Sequence, residues 1–417
     1  MSIGQRRYMK KQSNTSQIRF QNFEDTWLDS TIGRHISLLN GRAYKQEELL
    51  DEGKYKVLRV GNFNTNSKWY YSNLELEENK YVNKGDLLYL WATNFGPEIW
   101  AEEKAIYHYH IWKLEFDKTK INQDYLNIWL ESDKNKIQQN TNGSTMVHIT
   151  KTMMEERKVS LPNFAEQSAI GSLFRIIDDL ITSYKDNLAN YQSFKATMLS
   201  KMFPKAGQTV PEIRLDGFED EWEKVNLETS TVRLKSFSLS RDVETKENTG
   251  MRYIHYGDIH TGRASYINDE NVLPYISQDL KITEFLKKGD LIFADASEDY
   301  KGIAEVSLLA VNPKDNVIAG LHTIALRPNK NLDSTFLYYL FKTQTFRKYG
   351  YKVGTGMKVF GISPTNLMKY EYYHPFLEEQ QAIGAYFSNL DQLIISYHEK
   401  ISQLETLKKK LLQDMFI

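Results

Sequence analysis

The chain repeats itself, and this repetition constrains its fold more than any other feature. Residues 17–27 and 212–222 share six of eleven amino acids, including a tryptophan in register, and residues 162–203 and 375–416 share sixteen of 42 without a gap. The offset between matching residues is 195 at the first pair and 213 at the second. Because the offset only grows along the chain, we predict two copies of one fold, the second enlarged by about eighteen loop residues.

Three shorter matches lie between these anchors in the same order. Val-Gly-Asn at 60–62 matches Tyr-Gly-Asp at 256–258, Lys-Gly-Asp-Leu-Leu at 84–88 matches Lys-Gly-Asp-Leu-Ile at 288–292, and the segment 143–150 matches 356–363. Their offsets of 196, 204 and 213 rise in step with position. This progression indicates a duplication followed by divergence of the loops.

The second anchor of each copy has the pattern of one long amphipathic helix. Its apolar residues recur at spacings of three and four, and no proline follows its first residue, as in a helix with one apolar face. A helix of 38 residues is about 57 Å long, so we predict that the two helices pack on each other as an antiparallel coiled coil. Two independent amphipathic helices, each on its own domain, are the alternative. The predicted contact residues are Ile170, Leu173, Ile177, Tyr184, Tyr191, Ile383, Leu390, Tyr397, Leu404 and Leu411.

The rest of each half consists of short β-rich runs separated by glycine and asparagine turns, for example at 55–60, 87–91, 291–294 and 322–326. We therefore predict an α+β fold in which two pseudo-two-fold-related α+β domains are separated by the two long helices. The predicted boundaries are 1–16 for a disordered tail, 17–165 for the first domain, 166–205 for the first helical spacer, 206–377 for the second domain and 378–417 for the second helical spacer.

Composition excludes several classes of function. The chain has no cysteine, which excludes disulfides, a thiolate nucleophile and cysteine-ligated metal sites. Lys and Arg number 53 against 54 Asp and Glu, so a nucleic-acid-binding surface would have to arise from local segregation of charge. Because we find no signal peptide and no run approaching the roughly eighteen apolar residues of a membrane span, we expect a soluble, cytoplasmic protein.

Motifs for catalysis on DNA are few. The sequence contains no Asn-Pro-Pro-aromatic methyltransferase motif, no Walker loop and no dinucleotide-binding glycine loop. Asp86 with Glu102, Glu103 and Lys104 has the residue types of a Mg²⁺-dependent nuclease. Such clusters are also common on solvated surfaces, and the second copy keeps only Asp290.

A second candidate cluster is Tyr-His-Tyr-His at 107–110. Alternation along a strand would place His108 and His110 on one face. We favour a strand face or a DNA contact over a pair of metal ligands.

Several motifs resemble, in content and order, the specificity subunits of type I restriction-modification enzymes. They are Val-Pro-Glu-Ile-Arg-Leu-Asp-Gly-Phe-Glu-Asp-Glu-Trp at 210–222, Phe-Ala-Asp-Ala-Ser at 293–297, Gly-Thr-Gly-Met at 354–357 with Ile-Ser-Pro at 362–364, and Pro-Phe-Leu-Glu-Glu-Gln-Gln-Ala-Ile at 375–383. The resemblance covers residues 17–417, and the first half departs from the pattern at 143–147 and 161–167.

This resemblance implies two target-recognition domains, each reading one half of a split DNA sequence, and a helix pair that measures the unread spacer. It also implies double-stranded DNA, two methylation subunits and restriction subunits as partners. S-adenosylmethionine, ATP and Mg²⁺ would belong to those partners. The chain itself would direct adenine methylation and restriction without a cofactor, a metal or a catalytic residue of its own.

The candidate DNA contacts are polar, basic and aromatic side chains in the loops of both copies, because they suit hydrogen bonding to base edges and phosphates. An ordinary surface turn has the same composition, so both interpretations stay open. The candidates are Asn62, Asn64, Asn66, Lys68, Trp69, Tyr70, Thr93, Asn94, Asn142, Ser144 and Thr145 in the first half, and His260, Arg263, Ser297, Lys301, Lys352, Thr355 and Lys358 in the second.

Three functions are therefore compared: a bipartite DNA-recognition adaptor, a metal-dependent DNA endonuclease with its site at Asp86 and Lys104, and a purely structural coiled-coil protein. The repeat is also circular, because each half begins with the Ile-Arg motif and ends with the helix. We predict that joining the ends and reopening the chain between Phe203 and Val210 leaves a protein that folds.

Overall fold

The computed structural model describes residues 18–63, 66–92, 95–140, 149–277, 282, 284–299, 302–356 and 359–416, with residues 139 and 140 as backbone only. The chain divides into two compact units. The first unit comprises the residues up to Lys185 together with those from Glu399 onward, and the second comprises Asp186–His398. Both units are built from helices and sheets, which confirms the predicted α+β class.

The described residues of the first unit form ten strands and the helices that pack on them. The strands are β1 (Leu28–Thr31), β2 (Ile36–Asn40), β3 (Tyr55–Leu58), β4 (Tyr70–Ser72), β5 (Tyr81–Val82), β6 (Leu87–Leu90), β7 (Gly96–Ile99), β8 (Ala105–Tyr107), β9 (Ile111–Phe116) and β10 (Lys158–Leu161). The helices are α1 (Gln123–Asn140), α2 (Lys151–Glu155) and the first part of α3 (Phe164–Lys201). The strands form sheets in the orders β2-β9-β6-β7, β4-β3-β8-β5 and β1-β10.

The second unit has thirteen strands among its described residues. They are β11 (Glu223–Asn226), β12 (Thr231–Leu234), β13 (Glu244–Thr245), β14 (Met251–Ile254), β15 (Tyr266–Ile267), β16 (Tyr275–Ile276), β17 (Leu291–Ala294), β18 (Ala296–Ser297), β19 (Val306–Leu309), β20 (Asn316–Ala319), β21 (Thr323–Pro328), β22 (Phe360–Gly361) and β23 (Glu371–His374). The helices are α4 (Leu227–Ser230), α5 (Tyr256–His260), α6 (Ser334–Lys342), α7 (Gln344–Val353), α8 (Pro364–Met368) and most of α9 (Leu377–Met415). The sheet orders are β12-β21-β17-β19-β15, β13-β16-β14-β20, β11-β23 and β18-β22.

The two units share one plan. In each, a two-stranded antiparallel ladder joins the first strand to the strand before the long helix, β1 with β10 and β11 with β23. Each also contains a parallel pair flanked by an antiparallel strand, β3 with β8 and β14 with β20. The second unit has a further parallel pair, β15 with β19. The internal repeat of the sequence therefore corresponds to a repeat of the fold.

Each central sheet is covered on both faces, which explains its unbroken apolar runs. In β6 all four residues are buried. Leu87 and Tyr89 belong to the main core of the first unit, and Leu88 and Leu90 to a smaller cluster on the other face. Strand β17 shows the same alternation between two clusters of the second unit.

A buried arginine–glutamate clamp accounts for the repeated Ile-Arg motif. In the first unit the Arg19 guanidinium donates two hydrogen bonds, of 2.6 and 2.7 Å, to the carboxylate of Glu166 in α3. In the second unit Arg214 donates two bonds of 2.7 Å to Glu379 in α9. Both carboxylates are 2% exposed or less, and the hydrogen bond to Glu166 raises the pKa of Arg19. Each clamp ties the start of a copy to the start of its helix.

The glycine that follows each clamp allows two helices to approach closely. A Cβ atom on Gly171 would lie 2.7 Å from the Cβ of Asp124 and 2.8 Å from the amide nitrogen of Tyr125, at the start of α1. A Cβ on Gly384 would lie 3.0 Å from the carboxylate of Asp333, which caps α6. The repeated Ala-Ile-Gly therefore marks the contact between each long helix and the start of an earlier helix of the same unit, α1 for Gly171 and α6 for Gly384.

Within each unit, segments of α3 and α9 pack antiparallel. In the first unit Lys185 pairs with Glu405 at 2.7 Å and Asp178 with Lys408 at 2.9 Å, so residue numbers rise along one helix as they fall along the other. In the second unit the rings of Tyr191 and Tyr397 lie 5.4 Å apart, and Lys195 pairs with Asp391. The antiparallel packing agrees with the predicted helix pairing.

The predicted contact residues divide according to their position along the helices. Those near the helix starts lie in or against the domain cores. Ile170 and Ile177 are buried, and Leu173 packs on the core of the first unit. Ile383 belongs to the core of the second unit, and Leu390 packs on it. Leu411 packs on the first core from the end of α9, and Leu404 is half-buried. Tyr184 lies beneath the ammonium of Lys400 at 5.5 Å.

The boundary between the end of one copy and the start of the next is built in the same way in both units. In the second unit the amide of Ile213 donates to the carbonyl of Lys201 at 3.0 Å. In the first unit the amide of Ile18 donates to the carbonyl of Asp414 at 3.4 Å.

Within the part of the chain that the structure covers, no helix is long and apolar enough to cross a membrane.

Candidate nucleic-acid interface

The predicted loop at 62–70 follows β3 and uses its amide side chains internally. The side-chain oxygen of Asn62 accepts from the amide of Arg59 at 3.1 Å, and its nitrogen donates to the carbonyl of Lys68 at 3.1 Å. The oxygen of Asn66 accepts from the amide of Lys68 at 3.0 Å. Both asparagines therefore shape the loop, whereas the Lys68 side chain is 65% exposed and can reach a phosphate.

The aromatic residues of this loop lie under cations. The ammonium of Lys56 is 4.8 Å from the centre of the Trp69 ring, which packs edge-on against Trp100. The guanidinium of Arg59 lies 4.3 Å from the centre of the Tyr70 ring. This end of the parallel pair β3/β8 therefore carries positive charge on an aromatic surface, a combination that suits nucleic acid.

Eight predicted contacts lie outside the described residues: Asn64, Thr93, Asn94, Asn142, Ser144, Thr145, Lys301 and Lys358. Trp91 and Ile149 are described residues close in sequence to the predicted contacts at 93–94 and 142–145. They are neighbours, because the amide of Ile149 donates to the carbonyl of Trp91 at 3.4 Å.

In the second unit three of the predicted residues are brought together. A ring nitrogen of His260 lies 2.7 Å from the carbonyl of Ala296, and the next residue, Ser297, pairs with Phe360 in the β18-β22 ladder. Thr355 forms a bridge with Gly361 in the same ladder. Ser297 is only 3% exposed, so within this group it supports the backbone rather than presenting its hydroxyl.

Of the four lysines and arginines predicted in the second half, the two that lie among the described residues, Arg263 and Lys352, are exposed. Arg263 lies 3.9 Å from the carboxylate of Asp258, which is 1% exposed and also accepts from Arg241 at 3.1 Å. Lys352 is exposed near the end of α7. The contact with Asp258 leaves the Arg263 side chain 51% exposed, so both cations are available to solvent.

The Tyr-His-Tyr-His segment of the first unit is a turn, so the predicted strand alternation is wrong. Strand β8 ends at Tyr107, and residues 108–110 form the connection to β9. The rings of His108 and His110 are nevertheless only 4.9 Å apart, and the Trp91 ring lies 4.9 Å from that of His110. Burial, with the charges of His110 and Arg59, lowers the pKa of His108 to about 4, so this imidazole is neutral at pH 7.

A second cluster of imidazole and aromatic rings, which the sequence interpretation missed as a group, lies at the corresponding end of the second unit. Tyr256 follows the parallel strand β14, and its ring lies 5.8 Å from that of His260 and 5.3 Å from that of His322. A ring nitrogen of His322 lies 3.1 Å from the carboxylate of Asp295. His255, whose ring lies 4.5 Å from that of Tyr256, also belongs to this second cluster. The close spacing of His108 with His110 and of His255 with His260 was the sequence signal that could have identified both clusters.

The residues of the nuclease hypothesis form separate structural contacts and do not make one site. Asp86 accepts from the amide of Asn83 at 2.8 Å and pairs with Lys113 at 3.0 Å. Lys104 pairs with Glu78 at 3.0 Å, and Glu102 with Lys56. Asp290 repeats the role of Asp86, because it accepts from the amide of Lys287 and from Arg327. These aspartates hold a turn, and within the described residues no group of three or more side chains could hold a metal.

Comparisons with known proteins agree on one family. The family model described as "Type I restriction modification DNA specificity domain" matches residues 24–190 and again 219–406. The MjaVIII specificity subunit of a type I restriction enzyme from Methanocaldococcus jannaschii is 24% identical over 411 residues, covering 96% of this chain and 95% of the relative. The EcoBI specificity subunit from Escherichia coli is 26% identical over 148 residues, covering 35% of this chain and 31% of the relative.

The fold has the same relatives. A crystal structure of the S subunit of a type I restriction-modification system from M. genitalium matches with a TM-score of 0.58 and 16% identity, covering 97% of this chain and 99% of that one. At this identity the likeness concerns the fold alone.

Proposed function

Because the chain belongs to the family of type I restriction-modification DNA specificity subunits and carries two copies of the family domain, we propose that its two units read the two halves of a split DNA sequence. The chain is the DNA-recognition component of its complex and not an enzyme. The nuclease alternative has no support, since Asp86 and Lys104 are engaged in separate structural pairs.

One observation carries this proposal. The two units have the same frame, with matching clamps, matching two-stranded ladders and a matching parallel strand pair. At the end of that parallel pair, however, the side chains differ: the first unit presents Trp91, His108 and Tyr109, and the second presents Tyr256 and Asp295. A shared frame with different exposed chemistry suits two readers of two different base sequences.

The spacer between the half-sites would depend on the two long helices. Helices α3 and α9 contain 38 and 39 residues, and equivalent faces of B-DNA recur about every 10 to 10.5 base pairs. Lengthening both helices by the same number of residues should therefore change the spacer and leave the recognised bases unchanged.

Methylation and restriction subunits would bind this chain and carry out the chemistry. In this proposal S-adenosylmethionine, ATP and Mg²⁺ bind to those partners, and adenine is the methylated base. Two methylation subunits would accompany the two recognition units, and the complex would act on chromosomal and incoming DNA in the cytoplasm.

The test is to map methylated adenines in host DNA with and without this gene. We expect methylation at one sequence made of two short specified segments separated by a gap of constant length. A matched strain that expresses the methylation subunits alone is the control. Methylation that depends on a single contiguous sequence, or that is the same without this chain, would contradict the proposal.

A further inference from the structure

His110 and His322 occupy equivalent positions in the two units. In the first unit the amide of Trp91, just after β6, donates to the carbonyl of His110 at 3.2 Å. In the second unit the amide of Asp295, just after β17, donates to the carbonyl of His322 at 3.0 Å. Each histidine immediately precedes the next central strand, β9 or β21.

Two further backbone bonds support this equivalence. The amide of Ile149 donates to Trp91, as the amide of Ile362 donates to Asp295 at 2.8 Å. The residues two positions before the histidines, His108 and Gly320, each donate at 2.9 Å to the last residue of the adjacent parallel strand. The histidines are 212 positions apart, which fits between the offsets of 204 and 213 on either side.

The backbone at His322 has a conformation that few non-glycine residues adopt. Its φ angle is +54°, in the left-handed region that glycine and asparagine adopt most easily. The side chain is nevertheless 50% exposed, so burial of the ring does not compensate for this conformation. An exposed ion pair with Asp295 adds little stability. A large polar side chain held in a strained turn at the surface indicates a functional contact.

The surroundings orient each imidazole differently. Asp295 lies 3.1 Å from Nδ1 of His322, and a carboxylate at this nitrogen favours the tautomer in which Nδ1 carries the proton. Nε2 is then left as an acceptor. At the position equivalent to Asp295 the first unit has Trp91, whose ring lies 4.9 Å from that of His110.

We propose that His110 and His322 are matching specificity-determining residues, one in each recognition unit, and that His322 accepts a hydrogen bond from the exocyclic amino group of adenine or cytosine in the major groove. Asp295 is its positioning residue. This inference rests on the proposed function, because it assigns base contacts to the two units. The acceptor at Nε2 matches the amino donors that the major groove presents at those two bases.

The experiment uses the full chain assembled with its methylation subunits. Rates of methylation are measured on a library of duplexes in which each base pair of the recognised sequence is varied. His322→Gly removes the imidazole and suits the φ angle of that turn, and His110→Ala is the matched variant in the other unit. We expect each variant to lose about ten-fold of its preference at one base pair of one half-site, with the other half-site read as before.

Asp295→Ala should weaken the same preference as His322→Gly, and Asp295→Asn, which can still accept from Nδ1, should restore part of it. Unchanged base preference in both histidine variants would overturn the inference. So would a uniform loss of affinity across all sequences, because that result marks a phosphate contact. His322→Asn and His110→Phe replace any variant that fails to fold. A wild-type complex that selects no split sequence would instead refute the proposed function.

Discussion

The buried clamp between Arg19 and Glu166 makes a quantitative prediction about folding. Replacing Glu166 by Gln keeps the size of the side chain but removes the charge, so Arg19 remains beside a neutral amide. Removing one partner of a buried ion pair costs roughly 3 to 5 kcal/mol. The Arg19 side chain is 14% exposed and retains some contact with water, which places the expected loss near the lower limit, at about 3 kcal/mol.

The matched variant is Glu379→Gln in the second unit, where the Arg214 side chain is 18% exposed. A loss of about 3 kcal/mol corresponds to a fall in Tm of roughly 6 to 12 °C for a unit of this size. Glu166→Ala should cost about 1 kcal/mol more than Glu379→Ala, because Glu166 also accepts from the indole of Trp27 at 3.2 Å.

Calorimetry and urea unfolding of the full chain provide the assay. Glu78→Gln, which removes an exposed pair with Lys104, is the control and should change stability by less than about 1 kcal/mol. If Glu166→Gln and Glu379→Gln both behave like this control, the clamps do not hold the helix starts, and our explanation of the repeated motif is wrong.

Three further predictions concern the chain connection, pH and packing. A permutant with its natural ends joined and new ends between Phe203 and Val210 should fold and direct methylation to the same sequence; calorimetry and methylation mapping check this, and loss of folding would count against a circular repeat. The pKa of His108 is lowered to about 4 in the folded state, so the unfolded chain binds more protons between about pH 6.5 and 4. Stability should therefore fall as the pH falls through that window. Urea titrations of His108→Gln should show a weaker dependence of the free energy of unfolding on pH. A dependence equal to that of the wild type would refute the assignment. Gly171→Ala and Gly384→Ala should each destabilise the protein by roughly 1 to 3 kcal/mol, with the larger effect at Gly171, because a Cβ would lie 2.8 Å from a backbone nitrogen there and 3.1 Å from one at Gly384. Urea midpoints equal to that of the wild type would contradict the close helix approach.

The sequence was sufficient to predict the duplication and the two long helices. Both depend on local or repeated patterns: the three-and-four spacing specifies a helix wherever it is placed, and a second copy of Arg19, Glu166 and Gly171 requires a second copy of the contacts that they make. The repeated residues could be identified from the sequence, but their roles could not, because Arg19 and Glu166 pair across 147 positions of the chain.

The DNA contacts were only partly predictable from the sequence. His260, Ser297 and Thr355 were selected by composition, and the structure brings them together, although Ser297 is buried. His322 was not selected at all, and the turn at His108 was interpreted as a strand. Polar residues in loops follow no periodic pattern, so their types alone do not distinguish a base contact from an amide that holds its own turn, as Asn62 does.

From its residues alone, then, this protein could be recognised as two copies of an α+β domain, each followed by a long amphipathic helix. Only the tertiary structure decided which side chains share a surface. The backbone bonds that make His110 equivalent to His322 join strand ends far apart in the chain. The ring of Trp91 beside His110 and the carboxylate of Asp295 beside His322 also come from other segments of the chain. Such neighbours result from the register of strands within a sheet, which is set by packing over the whole core and leaves no periodic trace in the loops themselves.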